Sequence, residues 1–128
     1  GYRRPLADAH SGLVLMAFQS EPVRRQMIAE CRALMHEPPD PTSLAAELDG
    51  VRRRGAIIHD SRDIVGVTDV VCPIVLADGR AVACVTVAAV SRRSNPPNFE
   101  AMLERLKLAC AEIAQELGAY APLLAAAE

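Results

Sequence analysis

Apolar positions recur along the chain in two rhythms, helical toward both ends and alternating through the middle. Leu13, Leu15, Met16 and Phe18 leave little polar face over Gly12–Gln19, which predicts a first short helix. Ser20 is a good N-cap for a second helix with Pro22 in its first turn, and Val23, Met27, Cys31 and Leu34, with Ile28 alongside, form one apolar stripe. Glu37-Pro38-Pro39-Asp40-Pro41 breaks the pattern as a loop. A third helix starts at Asp40-Pro41 or Thr42-Ser43, carries Leu44, Leu48 and Val51 on one side, and stops at Gly55. Arg52-Arg53-Arg54 close it, where cations favour the negative end of the helix dipole; this accounts for the triplet better than nucleic-acid binding does.

Beyond Gly55 the rhythm becomes that of β-structure. Ala56–His59 reads as a short strand, and Thr68–Leu76 and Ala81–Val90 as longer ones joined by the hairpin dipeptide Asp78-Gly79. The prolines in Ser91–Asn98 end the sheet. Asn98 then caps a long helix through Met102, Leu106, Ala109, Cys110, Ile113 and Leu117, with Gly118 as its predicted stop.

A two-residue turn at Asp78-Gly79 sets a register in which Leu76 faces Ala81, Val75 faces Val82, Val71 faces Thr86 and Asp69 faces Ala88. Alternation then puts Val70, Cys72, Ile74, Ala81, Ala83 and Val85 on one wholly apolar face, suited to lie under a helix. The other face is also mostly apolar, so both are expected to be covered. It nevertheless holds Asp69 and Thr86 as diagonal neighbours, within reach of one ligand. Cys72 and Cys84 fall on opposite faces, which argues against a disulfide between them.

Composition narrows the function classes. Hydrophobic residues make up 51% of the 128, enough for a core, but only 3% are aromatic, so that core is aliphatic. The formal charge of −2 and the shortage of stacking side chains argue against direct nucleic-acid binding. No apolar run is long enough to cross a bilayer, and Asp8 and His10 interrupt any signal-like start, so no membrane partner is expected. Cys31, Cys72, Cys84 and Cys110 are widely spaced among apolar neighbours, as expected of reduced core thiols in a cytoplasmic protein.

The order and spacing of several segments carry a resemblance. They are Arg4-Pro5-Leu6 with Gly12 and Leu15-Met16-Ala17; Leu44-x-x-Glu47-Leu48-x-x-Val51-Arg52-x-Arg54-Gly55; Gly66-Val67, Pro73-Ile74 and Asp78-Gly79; and Ala109, Glu112 and Ile113 near the end. Together they resemble the C-terminal effector-binding domain of IclR-family bacterial transcription regulators. The resemblance implies an α+β, GAF/profilin-like domain with helices packed on an antiparallel sheet. It also implies that the family's opening strands and its winged helix-turn-helix, which binds DNA, lie outside this chain. A small-molecule effector and self-association as dimer or tetramer are the implied partners, with DNA reached only through the absent N-terminal domain.

The resemblance places the effector cradle at the backbone amides of His10 and Ser11 and at His59, Asp69, Thr86 and Ala88, three of which the hairpin register groups independently. This chain departs from the pattern in four places. His59 stands where an acidic residue is common, Asp69 where a small polar residue or cysteine is common, Arg62 at the signature's glutamate, and Ala88 lacks a hydroxyl. An aspartate at the centre repels a carboxylate unless His10 or His59 is charged, so a neutral, polyhydroxylated or cationic effector is expected.

Other readings are weaker. His10, His59 and Asp69 lack the short ligand spacings of a metal site. No visible cation activates a cysteine for redox sensing. His59 with Asp69 lacks a nucleophile elbow, phosphate loop or cofactor fingerprint, so no cofactor is expected. The alternative is a stand-alone small-molecule-binding or enzymatic module on a GAF-like fold.

Overall fold

The apolar runs sort into elements according to which layers cover them. The computed structural model describes residues 3–125. A 3-10 turn, Leu6–Asp8, leads into helices α1 (His10–Ala17), α2 (Glu21–Leu34) and α3 (Pro41–Arg54). Strands β1 (Ile57–Asp60), β2 (Val67–Val75) and β3 (Ala81–Val90) follow, and then helix α4 (Phe99–Ala125). The strands form one antiparallel sheet in the order β1-β2-β3, so the fold is α+β. Among the described residues no helix is long and apolar enough to cross a membrane.

The sheet separates two cores. On one side Leu13, Val14 and Met16 of α1 pack with Ile28, Leu44, Leu48, Ile57 and Val71. On the other, Leu103, Leu106 and Cys110 of α4 pack on Val70, Cys72 and Ile74. β2 is therefore central and covered on both faces, which is why Val67–Val75 reads as an almost unbroken apolar run. The expectation of two covered faces holds over β2. On β3, Thr86 and Ala88 are exposed.

The turn differs from the expected hairpin. Ala77, Asp78 and Gly79 form a three-residue loop: Gly79 N–H donates to Leu76 O at 2.9 Å, and Leu76 N–H to Arg80 O at 3.0 Å. Gly79 takes φ 82°, the left-handed conformation that a type I turn followed by a G1 bulge requires. The longer loop pairs Val75 with Ala81 rather than with Val82, and an irregularity between Ile74 and Val75 then restores the expected register. Ala81 thus shares the face of Val75, and its N–H donates to Phe18 O at 3.0 Å on the α1 side. From Ile74↔Ala83 to Val67↔Val90 the pairing is as read, including Val71↔Thr86 and Asp69↔Ala88.

Three helix ends also differ in detail. α1 begins two residues before Gly12, capped by Ala9 with no side-chain bond, so nothing in the local sequence marks the start. Ser20 caps α2 by backbone conformation without a side-chain bond. α4 runs through Gly118 to Ala125. Asp40, by contrast, caps α3 as expected, its carboxylate accepting from Ser43 N–H at 2.9 Å. Asp40→Ala should lower the unfolding free energy by about 1 kcal/mol in a denaturant titration, the usual cost of a lost N-cap.

Candidate effector-binding site

α1 delivers its N-terminus to the Asp69 face of the sheet. The N–H groups of a helix's first turn have no intrahelical partner and carry partial positive charge, and Ala9 supplies no side chain to satisfy them. His10, the first residue of α1, is 6% exposed. Its Nδ1 lies 3.0 Å from an Asp69 carboxylate oxygen. A carboxylate oxygen accepts, so Nδ1 is the nitrogen that donates. His59 pairs with Asp69 across β1 and β2, and its ring centroid is 5.4 Å from that of His10. Across the hairpin, Asp69 faces Ala88 and Val71 faces Thr86, which sets Thr86 diagonal to the carboxylate.

A cavity of about 370 Å³ opens among these groups, with His10, Ser11, Asp69 and Thr86 in its wall. His59 is not in that wall. It lines an adjoining cavity of about 280 Å³, which shares His10 and Arg62 with the first. Ala88 borders neither. Four of the six expected positions therefore share one cavity wall, with His59 in the adjoining one and Ala88 in neither.

Two arginines complete the wall and were not among the expected contacts. Arg62 Nη1 donates to Ala7 O at 2.8 Å and Nη2 to Glu47 at 3.2 Å. Arg4 pairs with Asp63 at 2.7 Å and also donates to Asp8 O. Both tie the loop of residues 61–66 to the segment ahead of α1, closing one side of the larger cavity. Their spacings, 59 residues for Arg4 to Asp63 and 55 for Arg62 to Ala7, carry no periodic signal in the sequence. Arg62 does stand out as a departure from the family pattern, and the structure gives that position an anchoring contact.

A family model, bacterial transcriptional regulator IclR C-terminal, matches residues 1–115. The chain belongs to this family. Solved structures agree. HmgR of Pseudomonas aeruginosa is 29% identical with a TM-score of 0.70, the match covering 92% of this chain and 47% of that one. An IclR homolog from Microbacterium hydrocarbonoxydans, complexed with 4-hydroxybenzoate, is 24% identical with a TM-score of 0.65, covering 92% and 48%. The inducer-binding domain of PobR from Acinetobacter, a double mutant with 3-hydroxybenzoic acid, is 21% identical with a TM-score of 0.66, covering 89% and 67%. The IclR domain described here spans about half the length of the first two. No curated protein matches it.

The remaining chemistry in this IclR domain is quiet. Among the described residues no three His, Cys, Asp or Glu side chains are grouped to hold a metal ion. Cys72 lies in the α4 core, and Cys110 Sγ donates to its carbonyl at 3.7 Å. Burial, reinforced by Cys110, pushes the Cys72 thiol up from 9.0 to about 12; burial also raises Cys84. At neutral pH Cys72 therefore stays protonated and poorly nucleophilic. The raised value stabilises the fold below pH 9, and that contribution is lost as pH climbs from 9 toward 12. Stability measured across that range should fall more steeply for the parent chain than for Cys72→Ala.

Proposed function

We infer that this IclR domain binds its effector in the 370 Å³ cavity between the start of α1 and the β2–β3 hairpin. One observation carries the reading: an uncapped helix N-terminus, the His10–Asp69 pair and the Thr86 hydroxyl converge on one small cavity. In it, Ser11 and His10 offer backbone N–H donors, Thr86 donates or accepts, and Asp69 accepts from a hydroxyl or amino group. The end of the effector lying on Asp69 is therefore neutral, polyhydroxylated or cationic. The hydroxybenzoates bound to the two distant relatives fit that description at their hydroxyl end and support a ligand of this size. His59 acts from the neighbouring cavity, and Ala88, which borders neither cavity, is not a contact.

The domain senses rather than catalyses. A ligand touching α1, β2, β3 and the loop of residues 61–66 together favours whichever arrangement of them it fits best. Couplings of this kind are typically about 1–3 kcal/mol. In a dimeric or tetrameric cytoplasmic regulator the shift would re-aim winged helix-turn-helix domains on DNA. Calorimetric titration with a metabolite panel tests the site. We expect binding of donor-bearing ligands, weakened roughly 10- to 100-fold by Asp69→Asn, the range for losing a hydrogen bond to a charged group. Binding only by carboxylates lacking a hydroxyl or amino donor, or equal affinity in Asp69→Asn, would count against the assignment.

A further inference from the structure

The α4 side of the sheet brings two cysteines to one spot. Cys72 lies on the face of β2 that also carries Val70 and Ile74, and Cys110 follows Leu103 and Leu106 along the stripe of α4 that covers it. Strand alternation and helical spacing thus join residues 38 apart in sequence. Cys110 Sγ donates to the Cys72 carbonyl at 3.7 Å, and its thiol also hydrogen-bonds the Cys72 side chain. Cys31 belongs to the other core, and Cys84 Sγ donates to Ser11 O at 3.7 Å on the α1 side.

Core cysteines usually act as small hydrophobes, and packing alone would account for two thiols sealed between a strand and a helix. These two are not sealed. They share the wall of a cavity of about 290 Å³ with the apolar side chains of Phe18, Val75, Ala111 and Ala114. The two alanines leave a space that larger side chains on α4 would fill. Cys72 is 4% exposed and Cys110 2%, so a reagent reaches the sulfurs through that cavity.

The ligand set decides what such a pair can hold. Among the described residues, no third His, Cys, Asp or Glu joins the two sulfurs, which falls short of the four ligands of structural zinc. Sulfur alone selects soft, thiophilic partners. Chemistry that needs a thiolate is disfavoured, because burial holds the proton on Cys72. A trivalent arsenic centre avoids both obstacles. Two sulfurs and one carbon satisfy it, and the adduct is uncharged, as an apolar core requires.

We propose that Cys72 and Cys110 form a dithiol site for organic trivalent arsenicals, with the organic substituent seated in the adjoining cavity. An arsonous acid loses both As–O bonds as two As–S bonds form, and each hydroxyl leaves with a thiol proton as water. Arsenic stays trivalent throughout, so neither an oxidant nor a reductant takes part. The site lies across the sheet from the effector cavity and stands independently of it.

The probe is phenylarsine oxide, which hydrates to the arsonous acid in water, added to the reduced full chain. Native mass spectrometry should show one phenyl-arsenic unit gained per chain in place of two hydrogens. A dithiol should strip it off, and a monothiol at the same concentration should not. The second As–S bond forms within the first adduct, so Cys72→Ala and Cys110→Ala should each weaken capture roughly 100-fold or more. Cys31→Ala and Cys84→Ala should capture it as the parent does. On the parent chain itself, NMR should show the Ala111 and Ala114 methyl signals shifting while the Ser11 and Thr86 amides stay in place. Undiminished capture by Cys72→Ala or Cys110→Ala would overturn the assignment. So would loss of capture in the Cys31 or Cys84 variant, or shifts at Ser11 and Thr86 with both alanines silent.

Discussion

Gly12→Ala should lower the unfolding free energy by about 2–4 kcal/mol, the range of a severe overpacking change. An added Cβ would stand 1.9 Å from Leu6 O and 2.5 Å from Leu6 C, both backbone atoms of the 3-10 turn that crosses α1. Neither can rotate out of the way, so the turn and the helix must separate. Alanine is otherwise the better helix former by ~1 kcal/mol, so the expected loss runs against propensity. Gly118→Ala is the control. That residue also lies within a helix, but a Cβ there meets nothing within 4 Å, and the substitution should stabilise by several tenths of a kcal/mol. Denaturant titration of the two variants should give opposite signs. Gly12→Ala should also weaken effector binding at temperatures where it remains folded, because the displaced turn carries the N-terminus of α1 with it.

The second large effect is at the His10–Asp69 pair. Asp69→Ala leaves a buried imidazole without the acceptor for Nδ1, which should cost about 1–3 kcal/mol of stability. His10→Ala removes the ring and its packing under the loop. Because the two side chains meet directly, their losses should not add. A double-mutant cycle should return a coupling of about 0.5–3 kcal/mol. Strictly additive losses would mean the contact contributes nothing. The same cycle read on effector affinity separates a ligand contact from support of the fold: each single variant should bind weakly, and the double variant little worse than either.

Local chemistry made much of this fold readable. β3 runs from Ala81 to Val90 as the alternation indicated, and Asp40 and Asn98 cap the helices they precede; Asn98 Oδ1 accepts from Ala101 N–H at 3.0 Å. What failed was set by packing. α1 is apolar almost all round because it is covered by both the sheet and the other helices, so its phase and its start at His10 had no amphipathic marker. Asp78-Gly79 identified the hairpin but not its loop length, and the extra loop residue was offset by the irregularity that follows. That compensation is why Asp69 and Thr86 still came out as diagonal neighbours. Gly118 resembled a stop because glycine is common just after helices, yet α4 continues through it.

The site divides in the same way. Asp69 and Thr86 were legible because strand alternation places them, whereas His10 and Ser11 were expected only from the resemblance, since no local signal marks the start of α1. The roles of Arg4 and Arg62 were not, because each depends on a chain segment distant in sequence. The helix-end account of the arginine triplet matches the structure, with Arg52, Arg53 and Arg54 all in the last turn of α3 ahead of Gly55.

The most direct measurement is a crystal structure of this chain with the tightest-binding member of the calorimetric panel. The account predicts ligand density between α1 and the hairpin, with a ligand donor within hydrogen-bonding distance of an Asp69 carboxylate oxygen and a second polar atom on the N–H of His10 or Ser11. Ligand found elsewhere, with the His10–Asp69 contact untouched and the cavity filled only by water, would contradict it.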